Sequence, residues 1–482
     1  MDQAIEAARP PQHLLAALSL LCPEVAQDIE RHWNQPVTSY AGHLWRSTVA
    51  PASRMGKEAR SILRETLGSH VGKAVPHQDI EVALREFDHT AAIQTGLHCQ
   101  LLLDRTTFDA FVLSWLGAVE NRLSTFLVFS GTTMTMETVG REGPGWLDTG
   151  PGKLNLFGMG RHKLSRRSVC ATGPVSLNKE ALEALSQKIP GAPSIGVLLE
   201  RADEVFASAA DALAAINADL AHEWDRSPGT RPLFIDDRFA AIVLARHLED
   251  KDSIPSKLLT NPSRRRHLEH ALQLASAGPF GGFLPDGTLH FWGIRDRRVR
   301  KLTVEQDRLV EIGRPHGLSI PLDRQHLREA LLAGALVPNL FLLFLVLAIL
   351  PRVRAMGGLR QIGYVPIFQS VLLSALDDKS PEERELAADL RRVENGWGMR
   401  VIDESMPVLD QIAGLPPADV LPQLHRHYQQ RTLADVTRNL LVIGENPRWR
   451  KLAAQLPLRE SATRSIRTVA APSSAGRDTF RR

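Results

Sequence analysis

The chain has little cysteine and little unbroken apolar sequence, and it carries none of the common nucleotide or hydrolase signatures. Three cysteines, Cys22, Cys99 and Cys170, stand far apart among 482 residues. An odd, scattered set argues against a disulfide framework and for reduced thiols in a cytoplasmic protein. The longest uninterrupted apolar run, Leu340 to Leu350, has 11 residues, whereas a membrane span needs ~20. The N-terminus carries acids from residue 2 and has no basic leader before its short apolar patch, so it does not read as a secretory signal. Walker A, G-x-G-x-x-G and G-x-S-x-G patterns are all absent. No internal repeat or heptad stretch stands out, although the apolar content leaves room for a homodimer face.

What is there is ordinary globular composition, 43% hydrophobic and 23% charged. The net charge is +4, and the tail from Arg459 to Arg482 holds six Arg against two acids. The tail therefore accounts for the whole excess, the body is near neutral, and a nucleic-acid partner is not expected. The tail itself, rich in Ser, Ala and Arg with no apolar period, reads as disordered.

Periodicity divides the rest. Residues 1–75 read as helical, with Leu14, Leu15, Leu18, Leu21 and Val25 on one face. Residues 76–330 read as an α/β core with a helical insertion and a β-hairpin region. There TAAIQ is a short strand reaching Thr95-Gly96, CQLLLDRTTFDAFVLSWLGAVENRL a helical run, and STFLVFSGTTMTMETV a strand. Strand, helix, strand is the pattern of a parallel pair, so the fold class is α/β with a Rossmann-like parallel-sheet core and additional helical segments. RPLFIDDRFAAIVLARHLED holds a short strand before its helix, and Asp286-Gly287 makes a tight turn between hairpin strands. Residues 331–458 hold a buried helix, started by Val337-Pro338-Asn339, and a C-terminal helical segment; 459–482 is the basic tail.

Candidate chemistry falls in five places. Thr95-Gly96 before a helix would bring backbone N–H groups to an anion, with His98 and Gln100 at the mouth; the competing reading is a glycine needed for a turn. Asp88, His89, His98 and Cys99 have metal-ligand chemistry, but their spacing matches no standard site. Ser130, Gly131, Thr132 and Thr133 follow a strand, where open α/β sheets bind ligands. Gly143 to Val169 reads as a lid made positive by Arg161, His162, Lys163, Arg166 and Arg167. Asn339, Gln361 and Tyr364 would line a pocket, with Gly357 and Gly358 allowing close backbone approach. Cys99 beside His98 is no nucleophile–base pair, because adjacent helix positions do not face each other.

The order of these features resembles the bacillithiol biosynthesis cysteine-adding enzymes. The resemblance runs through Thr95-Gly96-Leu97-His98, HFWGIRDRRVRKL, Leu350-Pro351, Gly357-Gly358 and Gln361…Tyr364, and is best over about 285 to 370. It departs from that family at Ser130-Gly131-Thr132-Thr133, where the family has an acidic turn, and at Gln361, where it has Glu; the long coiled-coil segment is missing. The resemblance implies a Rossmann-like fold and a ligase-type condensing enzyme of low-molecular-weight thiol or specialised-metabolite biosynthesis. Such an enzyme joins a small amine to an amino-acid-like substrate, and the reading admits a nucleotide as cofactor. Thr95, Gly96, Gln100 and His98 would hold an anionic group, with His98 the best general base. Ser130, Thr132 and Thr133 would form the pocket floor, and Asn339, Gln361 and Tyr364 would hydrogen-bond the substrate. The rivals are a metal-dependent enzyme using Asp88, His89 and His98, and a non-catalytic scaffold docking through the tail.

Overall fold

The computed structural model describes residues 9–455 apart from 47–49, 72–76, 139, 151, 190–192, 226–228, 280, 285–289, 393–396 and 438–445. The Asp286-Gly287 turn and the basic tail lie outside the described residues.

The core is a five-stranded sheet, parallel throughout. Its strands are β1 (Ala92–His98), β2 (Thr125–Gly131), β5 (Arg231–Asp236), β11 (Arg354–Gly357) and β12 (Trp397–Met399), in spatial order β12-β11-β1-β2-β5. The chain moves from β1 outward through β2 to β5, then returns to the other side of β1 as β11 and β12. The order reverses between β1 and β11, and in open α/β sheets that reversal opens a crevice at the carboxyl ends of the strands. The sequence reading of an α/β, Rossmann-like core holds. The sheet draws strands from both sides of residue 330.

Two smaller sheets are inserted. A hairpin of β3 (Trp146–Asp148) and β4 (Lys153–Asn155) follows β2. Between β5 and β11 lies a five-stranded antiparallel sheet of β6 (Phe291–Arg295), β7 (Arg298–Glu305), β8 (Arg308–Glu311), β9 (Ser319–Pro321) and β10 (Leu336–Pro338), in order β10-β6-β7-β8-β9. Asp296-Arg297 and Gln306-Asp307 take positive φ at its two tight turns.

The apolar run behaves as a core helix. Asn339 caps it by accepting the Leu342 amide at 3.0 Å, and Leu340–Phe344 is α-helical before a π-helical turn over Leu345–Ile349. Phe341 through Leu350 are all buried, each Leu, Ile, Val and Phe side chain contributing roughly 1.5–3 kcal/mol by leaving water. No helix among the described residues is long and apolar enough to cross a membrane.

The N-terminal helices close the other end of the core. The helix Val37–Leu44 packs on the helix Arg105–Glu120, where a Cβ on Gly117 would come within 2.5 Å of the Ala41 carbonyl. Tyr40 donates from its hydroxyl to the Met399 carbonyl at 3.1 Å. The buried Arg354 guanidinium donates to the carbonyls of His43, Leu44 and Arg46 at that helix's C-terminus, where a cation complements the helix dipole.

Candidate functional site at the strand crossover

The site begins with an irregularity in β1. Sequence alone ends this strand at Thr95-Gly96 and opens a helix there. The structure corrects this: β1 runs on to His98, and the helix starts at Arg105, capped by Asp104 through the Thr107 amide at 3.1 Å. Pairing of β1 with β2 shifts register between Gln94 and Leu97. This bulge absorbs Thr95-Gly96 within the strand and re-aims a side chain. Buried Gln94 fixes it, accepting the Gly96 amide at 2.7 Å and donating to the Ala110 carbonyl at 2.9 Å and to Ser114 Oγ at 2.6 Å.

The re-aimed side chain is Thr95. Its hydroxyl lies 2.9 Å from both the Met356 carbonyl and Gln361 Oε1, across the crossover on β11 and on the helix Leu359–Ala375. Glycine is required for this approach. A Cβ on Gly357 would come within 2.0 Å of Gln361 Oε1, and one on Gly96 within 3.1 Å of Gly357 Cα. The two segments that the sequence reading took separately, Thr95-Gly96 and Gly357-Gly358-Gln361, thus form one unit at the point where the strand order reverses.

Two features of this unit are unsatisfied. Gln361 is 4% exposed, and its Nε2 has no hydrogen-bond partner among the described residues. Gly358 starts a 17-residue helix without a side-chain cap, and a Cβ there would meet nothing within 4 Å. A helix N-terminus presents amides that lack intrahelical acceptors and a partial positive charge. Together with a buried amide donor, this favours an anionic group.

A cleft of about 570 Å³ starts from the end of β1; Thr95, Gly96, Gly357, Gly358 and Gln361 are not in its lining. Its walls are the end of β1 (His98, Gln100), the first turn of the helix Arg105–Glu120, the β3–β4 hairpin, and the segment Ser405–Val408 that follows β12. Arg400 joins cleft and crossover: its amide donates to the Gly357 carbonyl at 2.8 Å and its guanidinium to the Thr106 carbonyl at 2.9 Å. Arg105, ion-paired with buried Asp109, also donates to the Met406 carbonyl and holds the far wall. Burial pushes the Asp109 carboxyl up to about 7, opposed by Arg105. His98 is solvent-exposed at the cleft wall but sits among much protein mass. Desolvation lowers its pKa, Asp104 opposes, and Arg400 and Arg360 lower it further. The shift favours the neutral imidazole, the form that accepts a proton.

The other candidates lie elsewhere. Thr132 is buried, and both its amide and its hydroxyl donate to Asp237 Oδ2, so it does not line the cleft. Ser130 is buried beneath it, and Thr133 is half-buried outside the lining. Asn339 caps the core helix beside β10, its amide bonded to the His290 carbonyl at 2.8 Å. Tyr364 packs its ring on Phe344 and Phe368, one helical turn beyond Gln361. Asp88 and His89 end the helix before β1 and His98 ends β1 itself, so the strand separates them by ~20 Å at ~3.3 Å per residue. Asp88 pairs instead with Arg64 at 2.8 Å. Among the described residues no group of three His, Cys, Asp or Glu side chains is placed to hold a metal.

Of the Gly-rich segment, Gly143, Trp146, Asp148 and Lys153 line the cleft, and the cations there are not those expected. Arg141, stacked over the Trp146 ring at 5.6 Å, and Lys153 line it. Arg161 turns away to buried Glu137 at 3.0 Å, and His162, Lys163, Arg166 and Arg167 are not in the lining. Sequence reasoning missed Arg105, Arg400 and Trp146. Asp104-Arg105-Thr106-Thr107 carried a readable N-cap signal; Arg400, after a three-residue strand, carried none. Comparison with known protein families and with curated proteins finds no match.

Proposed function

We propose that the protein is a condensing enzyme of the ligase type, joining a small amine to an amino-acid-like carboxylate with a nucleoside triphosphate as co-substrate. The observation that carries this reading is the crossover unit: an uncapped helix N-terminus at Gly358 and a Gln361 amide without a partner among the described residues, joined through Arg400 to a cleft that His98 lines. In this reading the phosphate group sits at the Gly358 amide end with Thr95 and Gly96 shaping the approach, and the organic substrates occupy the cleft. The carboxylate oxygen attacks the γ-phosphorus with the nucleoside diphosphate leaving, or the α-phosphorus with pyrophosphate leaving, and the acyl carbon becomes electrophilic. The amine nitrogen then bonds that carbon, its proton passes to His98, and the phosphate or nucleotide leaves with the carboxylate oxygen. The resemblance in Gly357-Gly358 and Gln361…Tyr364 to the cysteine-adding enzymes favours the same reaction class.

Native mass spectrometry of the freshly purified chain, then titration with ATP and ADP, tests the reading. Retained or added nucleotide in the wild type, lost in Gly358→Val, is the expected result. Failure of either nucleotide to bind at millimolar concentration overturns the nucleotide role. Once a substrate pair is found, His98→Ala is expected to lower kcat by about 10²–10⁴-fold with little change in substrate affinity. Unchanged turnover removes His98 as the base.

A further inference from the structure

A second cavity, of about 240 Å³, lies at the opposite end of the core sheet. The helix Asp237–His247 leaves the carboxyl end of β5 and runs back along the sheet, so His247 arrives near the amino ends of the strands. Leu350, just before β11 begins, is on the same side. These two segments, the stretch Asp250 to Pro255 and the helix Arg54–Val71 line the space.

Its chemistry is one-sided. Met55, Ala59, Ile62, Ile254 and Leu350 give it an apolar body. Glu58, Glu65 and Asp250 bring carboxylates to it, and among the described residues no Lys or Arg lines it. Glu58 and Glu65 are each paired with an arginine outside the cavity, Arg54 and Arg246; Asp250 has no cationic partner among the described residues. His247 also lines the space. It is 3% exposed, and neither Nδ1 nor Nε2 has a hydrogen-bond partner among the described residues. Burial pushes its pKa down to about 4, with Asp250 opposing. The ring is therefore neutral and offers one acceptor nitrogen and one donor. Buried polar groups are nearly always paired, so an orphan of this kind marks a place where a partner is missing.

We propose that this cavity is a binding site for a small hydrophobic amine. The ammonium sits beside Asp250 and donates to the acceptor nitrogen of His247, and the hydrocarbon body lies against Met55, Ile62 and Leu350. The volume is below the ~300–1,000 Å³ of drug-sized sites, so the ligand is of fragment size. The carboxylates exclude anions. The site is separate from the crossover cleft, which lies at the far ends of β1 and β11.

Calorimetric titration of the full chain with three matched probes tests this: phenethylamine, 2-phenylethanol and phenylacetate. The amine is expected to bind at least tenfold more tightly than the alcohol, and phenylacetate not to bind. Asp250→Asn, at an exposed position, should bring the amine's affinity down toward that of the alcohol. Ile62→Trp should fill the cavity and abolish binding, with circular dichroism checking that the helix content is kept. Equal affinity for amine and alcohol overturns the charge assignment. Amine binding that survives in a folded Ile62→Trp overturns the location, and absence of binding by all three probes overturns the site.

Discussion

The carboxyl edge of the core sheet has two halves built from similar residue types, and they end in opposite states. Over β2 and β5, the Thr132 amide and hydroxyl both donate to Asp237, the Cys99 amide to the Gly131 carbonyl at 3.1 Å, and the Cys170 amide to the Thr132 carbonyl at 3.0 Å. Burial pushes the Cys170 thiol up to about 12 and the Cys99 thiol higher still, so neither is an activated nucleophile. Every donor at Thr132 has an acceptor inside the protein. Over β1 and β11, the Thr95–Gln361 contact leaves Gln361 Nε2 without a partner among the described residues and the helix start at Gly358 open. Small hydroxyl and glycine residues at strand ends therefore do not by themselves make a pocket. The distinction lies in whether the local hydrogen-bond capacity is used up within the fold.

The largest test of this contrast is Asp237→Ala. It strands the Thr132 amide and hydroxyl in a buried position, which should cost about 3 kcal/mol at 1–3 kcal/mol per orphaned group. Urea unfolding measures it. A cost below about 1 kcal/mol would mean that water reaches Thr132 and that this half is not closed. Next is Gly357→Ala, whose methyl displaces Gln361 and breaks the Thr95 contact; about 2 kcal/mol is expected, as for overpacked cores. The same unfolding assay should show Thr95→Val costing about 1 kcal/mol, one hydrogen bond's worth.

Asp237 also predicts a pH dependence. Desolvation raises its pKa from 3.8 to about 6 in the folded chain, so between these values the folded state holds a proton that the unfolded state has released. Its contribution to stability is present below about pH 4 and falls as pH rises toward 6. Asp237→Asn should flatten that part of the stability profile. An unchanged slope would place the titration on another group, with buried Asp109, raised to about 7, the first to replace by Asn.

The parallel core was legible because its strands carry their own signal: STFLVF is rich in β-branched and aromatic residues, and RPLFID runs directly into a helix. Gly357-Gly358 was legible as a place of close backbone approach, whereas Thr95-Gly96 read as an anion-binding helix start or a turn and its close approach to Gly357 was not foreseen. Their meeting was not legible. It depends on β11 returning next to β1 after more than 200 residues, which no local period encodes. The bulge at Thr95 was hidden for the same reason, because a register shift is a property of two strands. Asn339 and Tyr364 drew attention as polar residues in apolar surroundings, but a cap and a ring-packed tyrosine give the same pattern in sequence.

The smallest effect on stability should come from the residue that matters most for a ligand. Gly358 has a φ of −77°, which any residue adopts, and a Cβ there meets open space. Gly358→Ala should cost under about 1 kcal/mol, the loss of a modest helix-capping preference, in contrast to its neighbour Gly357. The added methyl would stand where an anion must come to reach the first-turn amides, so nucleotide affinity should fall at least tenfold, about 1.4 kcal/mol. Urea unfolding and calorimetric titration of the same sample separate the two quantities. If Gly358→Ala and Gly357→Ala lose stability alike, the helix start is packed rather than open and the contrast between the two halves fails. If Gly358→Ala is stable and still binds nucleotide as the wild type does, the anion does not sit at this helix terminus, and the ligand must be sought deeper in the cleft, between Arg105 and Trp146.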